Sequence, residues 1–123
     1  MNSRPQRGDI WDIDFGRPTG HEQGAGTRPG LVVSTDDFNN SGAGLVFVAP
    51  LTTSQREYPS RIKIRSGKSG LGETSWAAVE HLRSLSSLRL RDYRGSVDGS
   101  VLTEVDRVLD LILFAHSDSS ASG

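Results

Sequence analysis

The sequence predicts a mainly β (α+β) domain, a small and strongly curved sheet or barrel packed on one C-terminal helix. Three observations carry that prediction. Short apolar runs with strand-like alternation recur from residue 9 to residue 97, clusters of Gly, Asn and Ser separate them, and the only good helical spacing lies at the end.

The first strand is predicted over residues 9–15, where Trp11, Ile13 and Phe15 fall on one side and mostly polar groups on the other. Residues 16–26 hold four glycines and a proline and read as a long mobile loop. Leu31-Val32-Val33 and Leu45-Val46-Phe47-Val48 are β-branched runs of the kind that form buried strands, with a turn at Asn39-Asn40-Ser41-Gly42 between them. Arg61-Ile62-Lys63-Ile64-Arg65 alternates strictly and ends at Ser66-Gly67-Lys68-Ser69-Gly70. Residues 74–80 and 88–97 supply weaker strands. Val101, Val105, Val108, Leu109 and Ile112 then recur at helical spacing, with Ser100 or Thr103 as the N-cap. Residues 1–116 form one domain on this reading, and the Ser-rich end, 117–123, is a disordered tail.

With 123 residues the chain has enough length for one core and too little for two. It has no cysteine, which excludes a disulfide framework and a cysteine nucleophile and fits a reducing compartment. No apolar stretch approaches the roughly 20 residues that span a bilayer, and the polar start is unlike a signal peptide. A cytoplasmic protein with no membrane contact is the expectation. The net charge is only −1, but it is unevenly placed. Residues 56–94 hold nine basic and four acidic side chains, a net +5, whereas residues 95–123 carry −4. One basic face is compatible with that distribution, as is a solvated surface of mixed charge.

Four features have chemical content. His21-Glu22-Gln23 lies in the predicted loop, which closes on Thr27-Arg28-Pro29. Pro50-Leu51-Thr52-Thr53-Ser54 follows a buried strand, where hydroxyls either bind phosphate oxygens or cap a turn. Arg61, Lys63 and Arg65 share a strand face at intervals of about 6.6 Å, from a rise of roughly 3.3 Å per residue. Such a stripe matches the phosphates of an extended single strand, or blunts a sheet edge against pairing. Glu80-His81-Leu82-Arg83-Ser84 sets polar groups at a strand end. The histidines at 21, 81 and 116 have no metal-ligand spacing, so no metal or cofactor is expected. Gly67-Lys68-Ser69 lacks the upstream glycine of a P-loop, since residue 62 is Ile62.

Taken in order, Arg7-Gly8-Asp9-Ile10-Trp11, Asp14-Phe15, Glu22-Gln23, Arg28-Pro29, Leu31-Val32-Val33-Ser34, Phe38-Asn39 and Pro50-Leu51-Thr52-Thr53 resemble the MazF/PemK toxin family. The resemblance runs over roughly residues 7–114. It implies a CcdB-like, SH3-like barrel, a homodimer, a cognate antitoxin, and metal-free cleavage of single-stranded RNA. Arg28, Thr52 and Glu22 occupy the positions of the family's arginine, threonine and loop glutamate. The chain departs from the pattern twice: the span Gly24-Ala25-Gly26-Thr27 is one residue longer than usual, and Glu80-His81 stands where the family often has Asp-Gln.

On that reading the ribose 2′-OH attacks the adjacent phosphorus, leaving a 2′,3′-cyclic phosphate and a 5′-OH. Arg28 suits charge stabilisation, because guanidinium offers a fork of donors to phosphate. Such donors are worth about 3–4 kcal/mol in a transition state. Thr52 donates its hydroxyl proton to a phosphate oxygen, and Glu22, with His21 behind it, is the candidate proton acceptor. The expected RNA-binding side chains are His21, Gln23, Thr53, Arg61, Lys63, Glu80, His81 and Arg83. The alternatives are a protein-binding poison of the gyrase-inhibitor type on the same fold, or a non-catalytic RNA-binding module.

Overall fold

The computed structural model describes residues 4–16, 26–54 and 58–114. The predicted loop therefore falls largely, and the predicted tail wholly, outside the described residues. Seven strands are described: β1 (Asp9–Asp14), β2 (Thr27–Val32), β3 (Leu45–Thr52), β4 (Arg61–Ile64), β5 (Ser75–Ala78), β6 (Arg83–Ser86) and β7 (Leu90–Ser96). All their pairings are antiparallel, in the order β4-β5-β3-β2-β1-β7, with β6 also on β3. Two helices accompany them, α1 (Asp36–Asn39) and α2 (Gly99–Leu109), and a π-helical turn, Asp110–Phe114, continues α2. The mainly β class with a C-terminal helix is as expected.

The sheet is buried on both faces, because its central strands are apolar at odd and even positions alike. Ile10, Leu31, Val33, Ala49, Leu51, Ile62, Ile64 and Ala77 face α2 and pack with Val105 and Val108. Trp11, Ile13, Phe15, Val32, Val46, Val48 and Leu85 form a second core on the opposite face. The single-sided pattern predicted for β1 is thus half of the picture, since Ile10 is fully buried in the other core.

β3 is the pivot. Its first half pairs with β6, from Leu45 opposite Ser86 to Val48 opposite Arg83. Its last residues pair instead with β5, Leu51 opposite Ala77 and Thr52 opposite Trp76. Pro50 sits at this change of partner, where its missing N–H costs no ladder bond on that side. The curvature follows from one strand serving two sheets.

Four local expectations are corrected or extended. β6 replaces the strand ending predicted at Glu80–Ser84; Val79–His81 is a 3-10 turn and the chain then re-enters the sheet. The turn expected at Asn39–Gly42 is preceded by α1, capped by the Thr35 hydroxyl, which accepts from Phe38 N. The N-cap of α2 is Asp98, not Ser100 or Thr103. Its side chain makes no capping bond but pairs with Lys68 at 2.9 Å, and the Thr103 hydroxyl donates back to Gly99 O from inside the helix. Ile112, predicted on the buried stripe, is half exposed, because the helix passes beyond the sheet after Leu109. No helix among the described residues is long and apolar enough to cross a membrane.

Candidate functional site

Arg28 and Thr52 are 24 positions apart in the chain, and the sheet brings them together. β2 and β3 pair with Gly30 opposite Pro50 and Leu31 opposite Ala49. Continuing that register by two residues sets Arg28 opposite Thr52, and directly opposed residues share a face. The contact agrees with it: Arg28 Nη2 donates to Leu51 O at 3.4 Å. Thr52 is 7% exposed, and its Oγ1 accepts from Ser54 N at 3.1 Å. That bond occupies a lone pair and leaves the hydroxyl proton for another acceptor.

The row extends on both sides. Ile13 opposes Arg28, Thr52 opposes Trp76, and Trp76 opposes Lys63. Ile13 belongs to the second core, so the half-buried Arg28 stands at the edge of that core. Beside it Gly30 leaves room for the second core: a Cβ there would lie 2.6 Å from Ile13 Cδ1 and 3.1 Å from Phe15 Cζ, so both side chains would have to shift. Sequence reasoning did not single out Trp76. The available signal was a lone large aromatic in the run Ser75-Trp76-Ala77-Ala78, alternating away from the buried Ala77.

His21, Glu22 and Gln23 lie outside the described residues. The segment's ends, however, are joined: Gly26 N donates to Gly16 O at 2.7 Å and Phe15 N to Gly26 O at 2.8 Å. Asp14 braces the same corner. Its carboxyl accepts from Gly16 N and from Arg91, with Arg89 alongside, and these interactions outweigh desolvation to hold its pKa below the ordinary aspartate value. Arg83 joins this corner from β6, its Nη1 donating to Phe15 O at 3.4 Å with the guanidinium 5.8 Å from the Phe15 ring centre.

The remaining predicted residues divide into two groups. Lys63 and Thr53 are exposed. Arg61, by contrast, has a side chain only 4% exposed: Nε donates to Glu80 Oε2 at 2.7 Å and the guanidinium lies 5.1 Å from the Tyr58 ring centre. Glu80 also accepts from the Ser60 hydroxyl at 2.6 Å. Burial raises the Glu80 pKa, but the bonds from Ser60 and Arg61 outweigh it and leave the carboxyl below its usual value. Arg61 and Glu80 are thus joined in one network tying the 3-10 turn to β4. His81, half exposed, stands 3.9 Å from the same carboxylate.

A cleft of about 640 Å³ lies between β4 and α2, with Ile62, Ile64, Val101 and Arg107 among its lining residues. Neither Arg28 nor Thr52 lines it. Their site lies on a strand face on which Thr52 is buried and Arg28 and Trp76 are half-buried.

Comparison with known proteins agrees with this architecture. A family model described as PemK-like, MazF-like toxin of type II toxin–antitoxin system matches residues 6–113. Endoribonuclease MazF9 of Mycobacterium tuberculosis is 32% identical over 113 residues, covering 88% of this chain and 95% of the relative. The crystal structure of MazF from Deinococcus radiodurans superposes with a TM-score of 0.79 at 28% identity, covering 93% of this chain and all of that one. A mycobacterial endoribonuclease in complex with its cognate antitoxin gives 0.71 at 25% identity, covering 89% and 94%. With the family match spanning nearly the whole domain, sheet, helix and Arg28–Thr52 row included, the chain belongs to the PemK-like, MazF-like toxins of type II toxin–antitoxin systems.

Proposed function

We propose that this toxin is an endoribonuclease that cleaves single-stranded RNA at specific sequences, without a metal ion, by attack of the ribose 2′-OH on the adjacent phosphorus. The observation that carries the reading is the placement of Arg28 opposite Thr52 on one face of the sheet. A phosphate bridging the two strands receives the Arg28 fork and the Thr52 hydroxyl together. Both donors are pre-set by the sheet, so little reorganisation is needed as charge builds on the phosphorane. The poor exposure of Thr52 strengthens its bond to a phosphate oxygen, since the surroundings are drier than bulk water.

Arg28 is a charge stabiliser and not a base, because guanidinium keeps its proton in proteins. The proton acceptor is Glu22, with His21 behind it; both are connected to the site through Gly26, two residues before Arg28. The products are a 2′,3′-cyclic phosphate and a 5′-OH. Lys63 and Arg83 contribute phosphate contacts along the face, and Thr53, Gln23 and His81 are further RNA-binding side chains.

The toxin works in the cytoplasm as a homodimer restrained by a cognate antitoxin. The antitoxin complex of the mycobacterial relative supports such a partner. The exposed Leu111, Ile112, Leu113 and Phe114, at 50–64%, offer apolar surface for association. The test is incubation of the pure protein with an unstructured RNA in EDTA, followed by mapping of the cut ends. Cleavage with 5′-OH ends, lost in Arg28→Ala, is the expected result. Failure to cut any RNA would instead favour a protein-binding poison or a non-catalytic RNA-binding module.

A further inference from the structure

We propose that Trp76 is a stacking platform for an RNA base next to the scissile phosphate, and that the strand therefore crosses the sheet from Arg28 towards Lys63. The inference rests on the nuclease reading of Arg28 and Thr52 and names how the same site holds its substrate.

The register supplies the geometry. Thr52 opposes Trp76, and Trp76 opposes Lys63, so the three side chains stand in one row on one face. Adjacent strands are about 4.8 Å apart, which puts Trp76 one such step from Thr52 and Lys63 two steps away. A phosphate ligand, an aromatic plane and a cation thus follow one another across β3, β5 and β4. Proteins that hold single strands combine these same parts, a basic track for phosphates and aromatic faces for bases.

The opposite face of β5 explains why Trp76 is not a core residue. Ala77 is fully buried and packs with Leu51, Ile62 and Ile64 beneath α2. Trp76 points the other way and is only partly buried. Beside it Ala78 is small, and opposite Ala78 is Arg61, whose guanidinium is drawn to Glu80 and Tyr58. The second tryptophan is different in kind. Trp11 is 8% exposed, donates its indole N–H to Asp9 and meets Tyr93 edge-on at 5.7 Å. Among the described residues Trp76 takes part in no aromatic pair. A purely structural tryptophan would serve sheet stability and leave RNA affinity alone.

The presence of only two tryptophans makes the test direct. A 2′-O-methyl oligomer lacks the nucleophile and binds without being cut, so tryptophan fluorescence can be followed at equilibrium. Addition of such an oligomer, made in the sequence the toxin cuts, is expected to quench the wild type and to leave Trp76→Phe unquenched, with Trp11 as the silent reporter. In steady-state cleavage, Trp76→Ala is expected to raise KM roughly tenfold with kcat within about a factor of two. Trp76→Phe, which keeps an aromatic plane, is expected to recover most of that loss. Cleavage by the wild type without quenching, together with an unchanged KM in the variants, would overturn the stacking role and leave the nuclease reading intact. Quenching by a random-sequence 2′-O-methyl pool in a protein that cuts no RNA would do the reverse. Should Trp76→Ala fold poorly, the wild-type and Trp76→Phe quenching data still decide.

Discussion

Gly70→Ala is expected to cost far more stability than Gly67→Ala, although both glycines lie in one turn and both have positive φ, +73° and +111°. An L-residue held in that region costs about 1–2 kcal/mol, and this applies to both positions. Their surroundings differ. A Cβ at Gly67 meets nothing within 4 Å, whereas one at Gly70 would lie 1.8 Å from the Arg94 carbonyl oxygen. That neighbour is strand backbone and cannot rotate away. It is held from the other side too, because Gly95 lets β7 lie against Lys68 O, which a Cβ there would meet at 2.2 Å. Ser96 N donates to the same Lys68 O at 3.1 Å, and Arg94 Nη2 donates to Gly70 O at 3.0 Å. Relieving the clash means lifting the turn off β7 and losing these bonds. Overpacking of this kind adds about 1–3 kcal/mol, so Gly70→Ala should lose about 2–5 kcal/mol in total. At roughly 4 °C per kcal/mol for a domain of this size, thermal melting should fall by about 8–20 °C, against about 4–8 °C for Gly67→Ala. Equal melting temperatures for the two variants would refute the close-approach argument.

The division of the basic stripe predicts opposite behaviour for two neighbours: Arg61→Ala removes the guanidinium paired with Glu80 and should lower stability by about 1–3 kcal/mol in urea denaturation. Lys63→Ala should leave stability within about 0.5 kcal/mol and weaken RNA binding, reducing the salt slope by about 0.7 in a log–log titration. The Glu80 pKa is lowered in the folded state, so its contribution is complete above the unfolded value and is lost as pH falls through the folded one. The stability gap between wild type and Glu80→Gln should therefore shrink on acidification below about pH 4.5, measured by denaturation at several pH values; solvent exposure keeps the gap near 1 kcal/mol or less. A gap that widened in acid would contradict the assignment. Arg28→Lys keeps the charge and loses the fork, and it should cut kcat by roughly 10²–10³ in single-turnover cleavage without lowering Tm.

Strand periodicity made much of the fold readable, because apolar positions in β1, β3 and β4 mark sheet faces whatever the partner. β6 was not readable. Arg83-Ser84-Leu85-Ser86 contains one inward apolar residue, Leu85, and is a strand because β3 offers it hydrogen bonds. Pro50 within β3 ran against propensity for the same tertiary reason. The α2 start was misplaced because Asp98 caps by position while its carboxylate serves Lys68. At the site, alternation correctly set Arg61 and Lys63 on one face, but the capture of Arg61 by Glu80 is a contact across 19 positions that no local pattern encodes. The same holds for Arg28 and Thr52. Their side-chain chemistry was legible, and their juxtaposition was available only through family resemblance until the β2–β3 register displayed it.

The central claim is that Arg28 and Thr52 together hold a phosphate undergoing 2′-OH attack. Its most direct test is cleavage of an unstructured RNA in EDTA by wild type, Arg28→Ala and Thr52→Ala, with circular dichroism confirming the fold of each. The account predicts cut strands with 5′-OH and 2′,3′-cyclic phosphate ends from the wild type, and loss of cutting in both folded variants. Full activity in either variant, or 5′-phosphate ends from the wild type, would contradict it.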